Sequence, residues 1–94
     1  MDKKYAAQEA ITHSMMGSLG LKLIEEKEGF IRASMPVNDN TSQPFGVLCG
    51  GASLAFAEII AGYGSYLCCP EGFIPVGSSV SGNHVSSVRK APDV

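Results

Sequence analysis

Between Asn40 and Pro70 the chain carries a single charged residue, Glu58. Eleven of its sixteen Asp, Glu, Lys and Arg residues precede Asn40. The middle of the chain must therefore hide from water, while its first third need not. Three arrangements can hold such a stretch. A transmembrane helix needs about 20 consecutive apolar residues. Val47–Cys69 is long enough, but it contains Gly50, Gly51, Gly62, Gly64, two serines and a central glutamate, without a Leu/Ile-rich core. That composition weighs against a membrane. A buried helix wrapped by a sheet or by another subunit fits better. In the third arrangement the same buried helix keeps its glutamate for chemistry.

The 94 residues make one domain, 1–94, with a thin core. Apolar residues at 45% and charged residues at 17% describe a globular chain rather than a disordered one. Net charge is −2, and the longest basic runs are Lys3–Lys4 and Arg89–Lys90. Nucleic acid is thus not expected as a partner, nor is an anionic membrane surface. Cys49, Cys68 and Cys69 are odd in number, two of them adjacent, with no C-x-x-C. They make a poor disulfide framework and, with His13 and His84 far apart, a poor zinc site. No metal is expected. The N-terminal MDKKYAAQEA lacks the apolar core of a secretory signal, so reduced thiols in the cytoplasm are the expectation.

Turn and breaker residues divide the chain. A short helix is expected over Ala6–Met16, ended by Gly17 and Gly20. Leu21–Glu26 and Phe30–Val37 read as two strands around a Lys27-Glu28-Gly29 turn, with Pro36 at an edge or end. Asn38–Pro44 is a polar loop. A long helix over Ala52–Leu67 is closed by Pro70 and Gly72. Ile74–Val88 reads as a long strand, bent or bulged near Gly77 or Gly82. Three strands are too few to cover the long helix, and the last has an open edge. Either the chain is short or other subunits complete the sheet.

On the long helix, the neighbours of Glu58 at three, four and seven residues are Gly51, Leu54, Ala55, Ala61, Gly62 and Ser65. Most are small. The bulky stripe of Phe56, Ile60, Tyr63 and Leu67 is expected to pack into the sheet. The small face leaves room for a ligand or another backbone. A carboxylate there is costly if dry and unpaired, so it is either a nucleophile or general base, or a paired group at a subunit interface. At the helix start, Gly50 and Gly51 let a ligand approach backbone N–H groups. With the helix dipole, these groups can polarise a carbonyl oxygen or bind an anion. A simple tight turn is the alternative.

The run Gln43-Pro44-Phe45-Gly46-Val47-Leu48-Cys49-Gly50-Gly51-Ala52-Ser53, followed by Ala57-Glu58, resembles the signature of hotdog-fold acyl-CoA thioesterases. The likeness is to the PaaI-like branch, which includes the 1,4-dihydroxy-2-naphthoyl-CoA and 4-hydroxybenzoyl-CoA thioesterases. Ala33-Ser34-Met35-Pro36-Val37 and Asn83-His84-Val85 fit the same pattern. The resemblance implies an α+β hotdog fold, an antiparallel sheet wrapped around a long central helix, assembled as homodimers or homotetramers. It implies Glu58 as the catalytic carboxylate, Gly51 as backbone donor to the thioester oxygen, and Gln43 as the residue orienting thioester or water. Glu58 of one chain would serve with Gln43 and Gly51 of the other. Cys49, Gly50, His84 and Gly62 would border the substrate. The substrate would be an acyl-CoA carrying an aromatic or medium acyl group, with coenzyme A entering as part of it and no separate cofactor.

Three departures stand out. Cys49 occupies a place where the family usually has His. Ser86-Ser87 stand where a basic residue often follows, leaving Arg89 or Lys90 to hold CoA phosphates. The chain also stops where family members continue with further strands, so the usual C-terminal strands are not expected. These departures keep a rival open: a shortened, inactive hotdog domain that only self-assembles or binds acyl-CoA. Of the remaining residues, His13 is expected in solvent, Met15-Met16 in apolar packing or beside the acyl site, and Cys68-Cys69 in buried structure. Tyr63 and Tyr66 are expected in the core or an interface.

Overall fold

The computed structural model describes residues 3–90, and side chains from Gln8 onward. The expected N-terminal helix is two helices, α1 (Lys3–Thr12) and α2 (Met15–Ser18). Ser14 causes the break. Its backbone is extended, and its Oγ accepts the Met16 N–H at 3.2 Å while donating to the Ile11 carbonyl at 2.8 Å. A serine that caps one helix cannot also continue another. Gly20, at φ 72°, turns the chain into the first strand.

β1 (Lys22–Lys27) and β2 (Phe30–Ser34) form an antiparallel hairpin in which Lys27 pairs with Phe30. Gly29, at φ 74°, closes the turn. The register shifts between Leu23 and Glu25, placing Ile24 at a bulge, 58% exposed. Lys27 and Arg32 flank the Phe30 ring at 5.0 and 5.7 Å. β2 ends at Ser34, short of the expected Val37, because Pro36 cannot donate to a ladder.

The following loop is organised by Thr41, which is 1% exposed. Its Oγ1 donates to the Pro36 carbonyl at 2.8 Å and accepts the Asn38 N–H at 3.0 Å. Its carbonyl accepts the Cys49 N–H at 2.8 Å. Thr41 thus ties the end of the hairpin to the start of the long helix. Gly46, at φ 88°, turns the chain between Gln43 and Val47, whose backbones pair at 2.9 Å.

α3 (Gly50–Cys68) is the central helix and begins two residues before the expected start. Ala52 of this helix, with Met16 and Leu21, makes up the buried apolar residues among those described. Gly64 lies against β2, where a Cβ would stand 3.4 Å from the Ile31 side chain. Phe56, Ile60 and Leu67 face the hairpin as expected, lining grooves with Phe30 and Ile31. Tyr63 also borders the Glu58 side, while Glu26 of β1 remains close enough to act on its phenol. Ala61, expected beside Glu58, lines the hairpin side. Cys68, expected buried, is exposed: it lies in the last helical turn, bordering the open groove lined by Lys27, Gly29 and Phe30. Among the described residues, no helix is long and apolar enough to cross a membrane.

The expected strand over 74–88 is not a strand among the described residues. A strand exists only by pairing, and this segment finds no ladder partner there. It runs instead as a strap beside α3, pinned at its end. The Leu48 N–H donates to the Val88 carbonyl at 2.7 Å, and the Lys90 N–H to the Gly46 carbonyl at 2.9 Å. The Lys90 ammonium also reaches Asp39 at 2.8 Å and holds that carboxyl below its usual range, first through the hydrogen bond and then through charge.

Candidate active site

Glu58 sits midway along α3, half-buried beneath the strap. Its carboxylate has no hydrogen-bond or ion-pair partner among the described residues. Two cavities meet at it. One, of about 420 Å³, is lined by Met15, Met16, Gly62, Tyr63 and Val76. The other, of about 290 Å³, is lined by Leu54, Ala55, Ser78, Ser79 and Val80. Glu58 and Gly77 belong to both walls. Leu54, Ala55 and Gly62 are therefore the small-face neighbours that the spacing placed beside the carboxylate. Tyr63 is partly desolvated here. Burial first, then the charges of Glu26 and Tyr66, raise its phenol above the usual 10.0.

The second cluster is the N-terminus of α3. Cys49 is the N-cap, in an extended conformation, but its side chain makes no capping bond. The helix ladder starts with the Ala52 N–H donating to the Cys49 carbonyl at 3.0 Å. The Gly50 and Gly51 N–H groups lie before that bond and have no acceptor among the described residues. The His84 imidazole covers Gly50: a Cβ on that glycine would stand 2.6 Å from Nε2. The Cys49 thiol lies beside Gly51, 3.8 Å from where its Cβ would be. Gln43 is turned into its own loop, its Oε1 accepting the Phe45 N–H at 2.6 Å.

The predicted residues thus fall into two groups, with Gln43 apart in its own loop. Cys49, Gly50, Gly51 and His84 gather at the helix start. Glu58 and Gly62 lie on the cavity wall. Glu58 is seven residues past Gly51, about 10 Å along the helix axis. Thr41 and Gly77 were missed. An Asn-rich loop was the signal for the first. For the second, an isolated glycine in an apolar run can mark close backbone approach as well as a bend.

Residues 45–92 match the Thioesterase superfamily, and the chain belongs to that family. Over 77 residues it is 39% identical to the 1,4-dihydroxy-2-naphthoyl-CoA hydrolase of Escherichia coli K12, covering 82% of this chain and 57% of that protein. It is 34% identical over 92 residues to the proofreading thioesterase EntH of Cronobacter turicensis, covering 94% of this chain and 67% of that one. The crystal structure of a Haemophilus influenzae thioesterase superposes with a TM-score of 0.81 at 40% identity, covering 88% of this chain and 58% of the other. The hotdog fold expected from the resemblance is therefore the fold of this chain. The chain spans little more than half the length of the Escherichia coli and Haemophilus proteins.

Proposed function

We propose that this chain hydrolyses an acyl-CoA thioester to the free acid and coenzyme A. The observation that carries the reading is Glu58: an unpartnered, half-buried carboxylate between two cavities, in a chain of the Thioesterase superfamily. In the reaction one water is consumed, the acyl carbon gains an oxygen, and the carbon–sulfur bond breaks as the CoA thiol takes a proton. Glu58 begins it, either by attacking the acyl carbon or by taking a proton from the attacking water. The free Gly51 N–H, at the positive end of the helix dipole, receives the charge that develops on the carbonyl oxygen.

One thioester cannot bridge the axial gap between Glu58 and Gly51 of a single chain while reacting at both. This supports a site shared by two copies, Glu58 from one and Gly51 and Gln43 from the other, in a homodimer or homotetramer. The apolar lining of the larger cavity suits an aromatic or medium acyl group. The three free cysteines suit a reducing, cytoplasmic setting. The test is a thiol-release assay with benzoyl-CoA and 1,4-dihydroxy-2-naphthoyl-CoA analogues, with oligomeric state measured on the same protein. Glu58→Gln is expected to lower kcat by about 10²–10⁴-fold. Undiminished turnover in that variant overturns the mechanism, and no turnover by a folded wild-type oligomer overturns the activity.

A further inference from the structure

We propose that Gly77 is a positioning residue: its bare Cα lets the strap lie directly on the Glu58 side chain and hold the carboxylate between the two cavities. The inference rests on the hydrolytic reading of Glu58. A Cβ built on Gly77 would overlap Glu58 Oε1 and stand 3.2 Å from its Cδ and 3.7 Å from its Cγ. Any other residue at this position must displace the carboxylate or lift the strap. On the helix itself, Gly62 offers no such restraint, since nothing lies within 4 Å of its Cβ position. The restraint therefore comes from the strap.

A second glycine on the same strap shows what ordinary packing looks like there. Gly82 faces Leu54, one helical turn before Glu58, where a Cβ would stand 3.1 Å from Cδ2. Gly82 packs against an apolar methyl and Gly77 against the reacting group. Neither has a left-handed backbone; the glycines with positive φ are Gly20, Gly29, Gly46 and Gly72. Alanine therefore fits the backbone at either site, and its effect reports the added methyl group alone. At Gly77 that methyl meets the far end of a flexible side chain. The fold can yield by swinging the carboxylate aside, so the position of Glu58 changes more than the stability does.

The test uses the full chain. Gly77→Ala is expected to lower kcat by about 10- to 100-fold, because misplacement of a reacting group by about 1 Å costs that much. KM should stay within about twofold. Gly82→Ala should leave kcat much closer to wild type. Glu58→Asp shortens the side chain and makes room for the methyl group, so its penalty should be smaller in the Gly77→Ala background than in the wild type. Multiplicative losses in that cycle overturn the proposal, as does an equal kcat loss in Gly82→Ala. A readout independent of turnover is the carboxyl ¹³C resonance of Glu58, assigned by its disappearance in Glu58→Gln. It should move in Gly77→Ala and not in Gly82→Ala, and a resonance unmoved in Gly77→Ala overturns the positioning role even if wild-type protein hydrolyses nothing. If Gly77→Ala fails to fold, Glu58→Ala should restore folding. Failure of that double variant to fold places the clash elsewhere and ends the proposal.

Discussion

Replacing Cys49 by serine exchanges one sulfur for one oxygen at the N-cap of α3. The natural thiol leaves the cap unmade, and the Gly50 and Gly51 N–H groups stay open. A serine Oγ accepts from the second or third helical residue; Ala52 already donates to the Cys49 carbonyl, so the open partner is the Gly51 N–H. The serine would satisfy a donor that, on the proposed mechanism, receives the thioester oxygen. Gain of a cap stabilises by about 0.5–2 kcal/mol, and for a domain of this size about 1 kcal/mol raises the melting midpoint by about 4–8 °C. The same bond competes with the thioester oxygen for the Gly51 N–H. Loss of one such donor costs about 10²–10³-fold in kcat. Cys49→Ala removes the thiol without supplying an acceptor, so it is the reference for both effects. Calorimetry and thiol release on the two variants should show serine more stable than alanine and slower. Serine more stable than alanine yet equally fast would refute the assignment of the Gly51 N–H as the polarising donor.

Three further outcomes follow, beside the Glu58→Gln and Gly77→Ala tests already set out. Thr41→Val keeps the side chain's shape but leaves the Asn38 N–H and Pro36 carbonyl without their Oγ1 partner. It should cost about 1–3 kcal/mol, read as a lower denaturant midpoint. Tyr63 should titrate above the usual tyrosine range in ultraviolet absorbance, and Tyr63→Phe should remove that late step. Its folded-state pKa lies above the unfolded 10.0. The stability it contributes is therefore fully present below pH 10.0 and is lost as pH rises through the folded value.

The central helix was legible because its cause is local. A run with one charge, closed by Cys69-Pro70 and opened by paired glycines, leaves few alternatives to a covered helix, and α3 extends beyond the predicted span by only two residues at its start and one at its end. The hairpin was legible for the same reason, since Gly29 must turn, although the second strand stops at Ser34, before Pro36, rather than at the expected Val37. Ala55 and Gly62 beside Glu58 also follow from helical spacing alone, whereas Ala61 and Ser65, given by the same spacing, line the hairpin side. The N-terminal helix was misread because Ser14 can cap or continue, and only its bonds to Ile11 and Met16 decide between the two.

What depends on residues distant in the chain was decided by tertiary structure. Periodicity gave Tyr63 to the bulky stripe, but Tyr63 also borders the cavity at Glu58, whose walls include Met16 of α2 and Val76 of the strap. Alternation of Val76, Ser78 and Val80 fits a strand, yet a strand needs a neighbour to exchange hydrogen bonds, and the described residues supply none. His84 over Gly50 and Gly77 on Glu58 are close approaches between segments that no local propensity links. The sequence by itself determined which segment forms the long helix and which carboxylate it carries, because apolar patterning and helical spacing act along the chain. The tertiary structure decided what lies on that carboxylate, because a glycine's missing side chain has meaning only once another segment has come to rest against it.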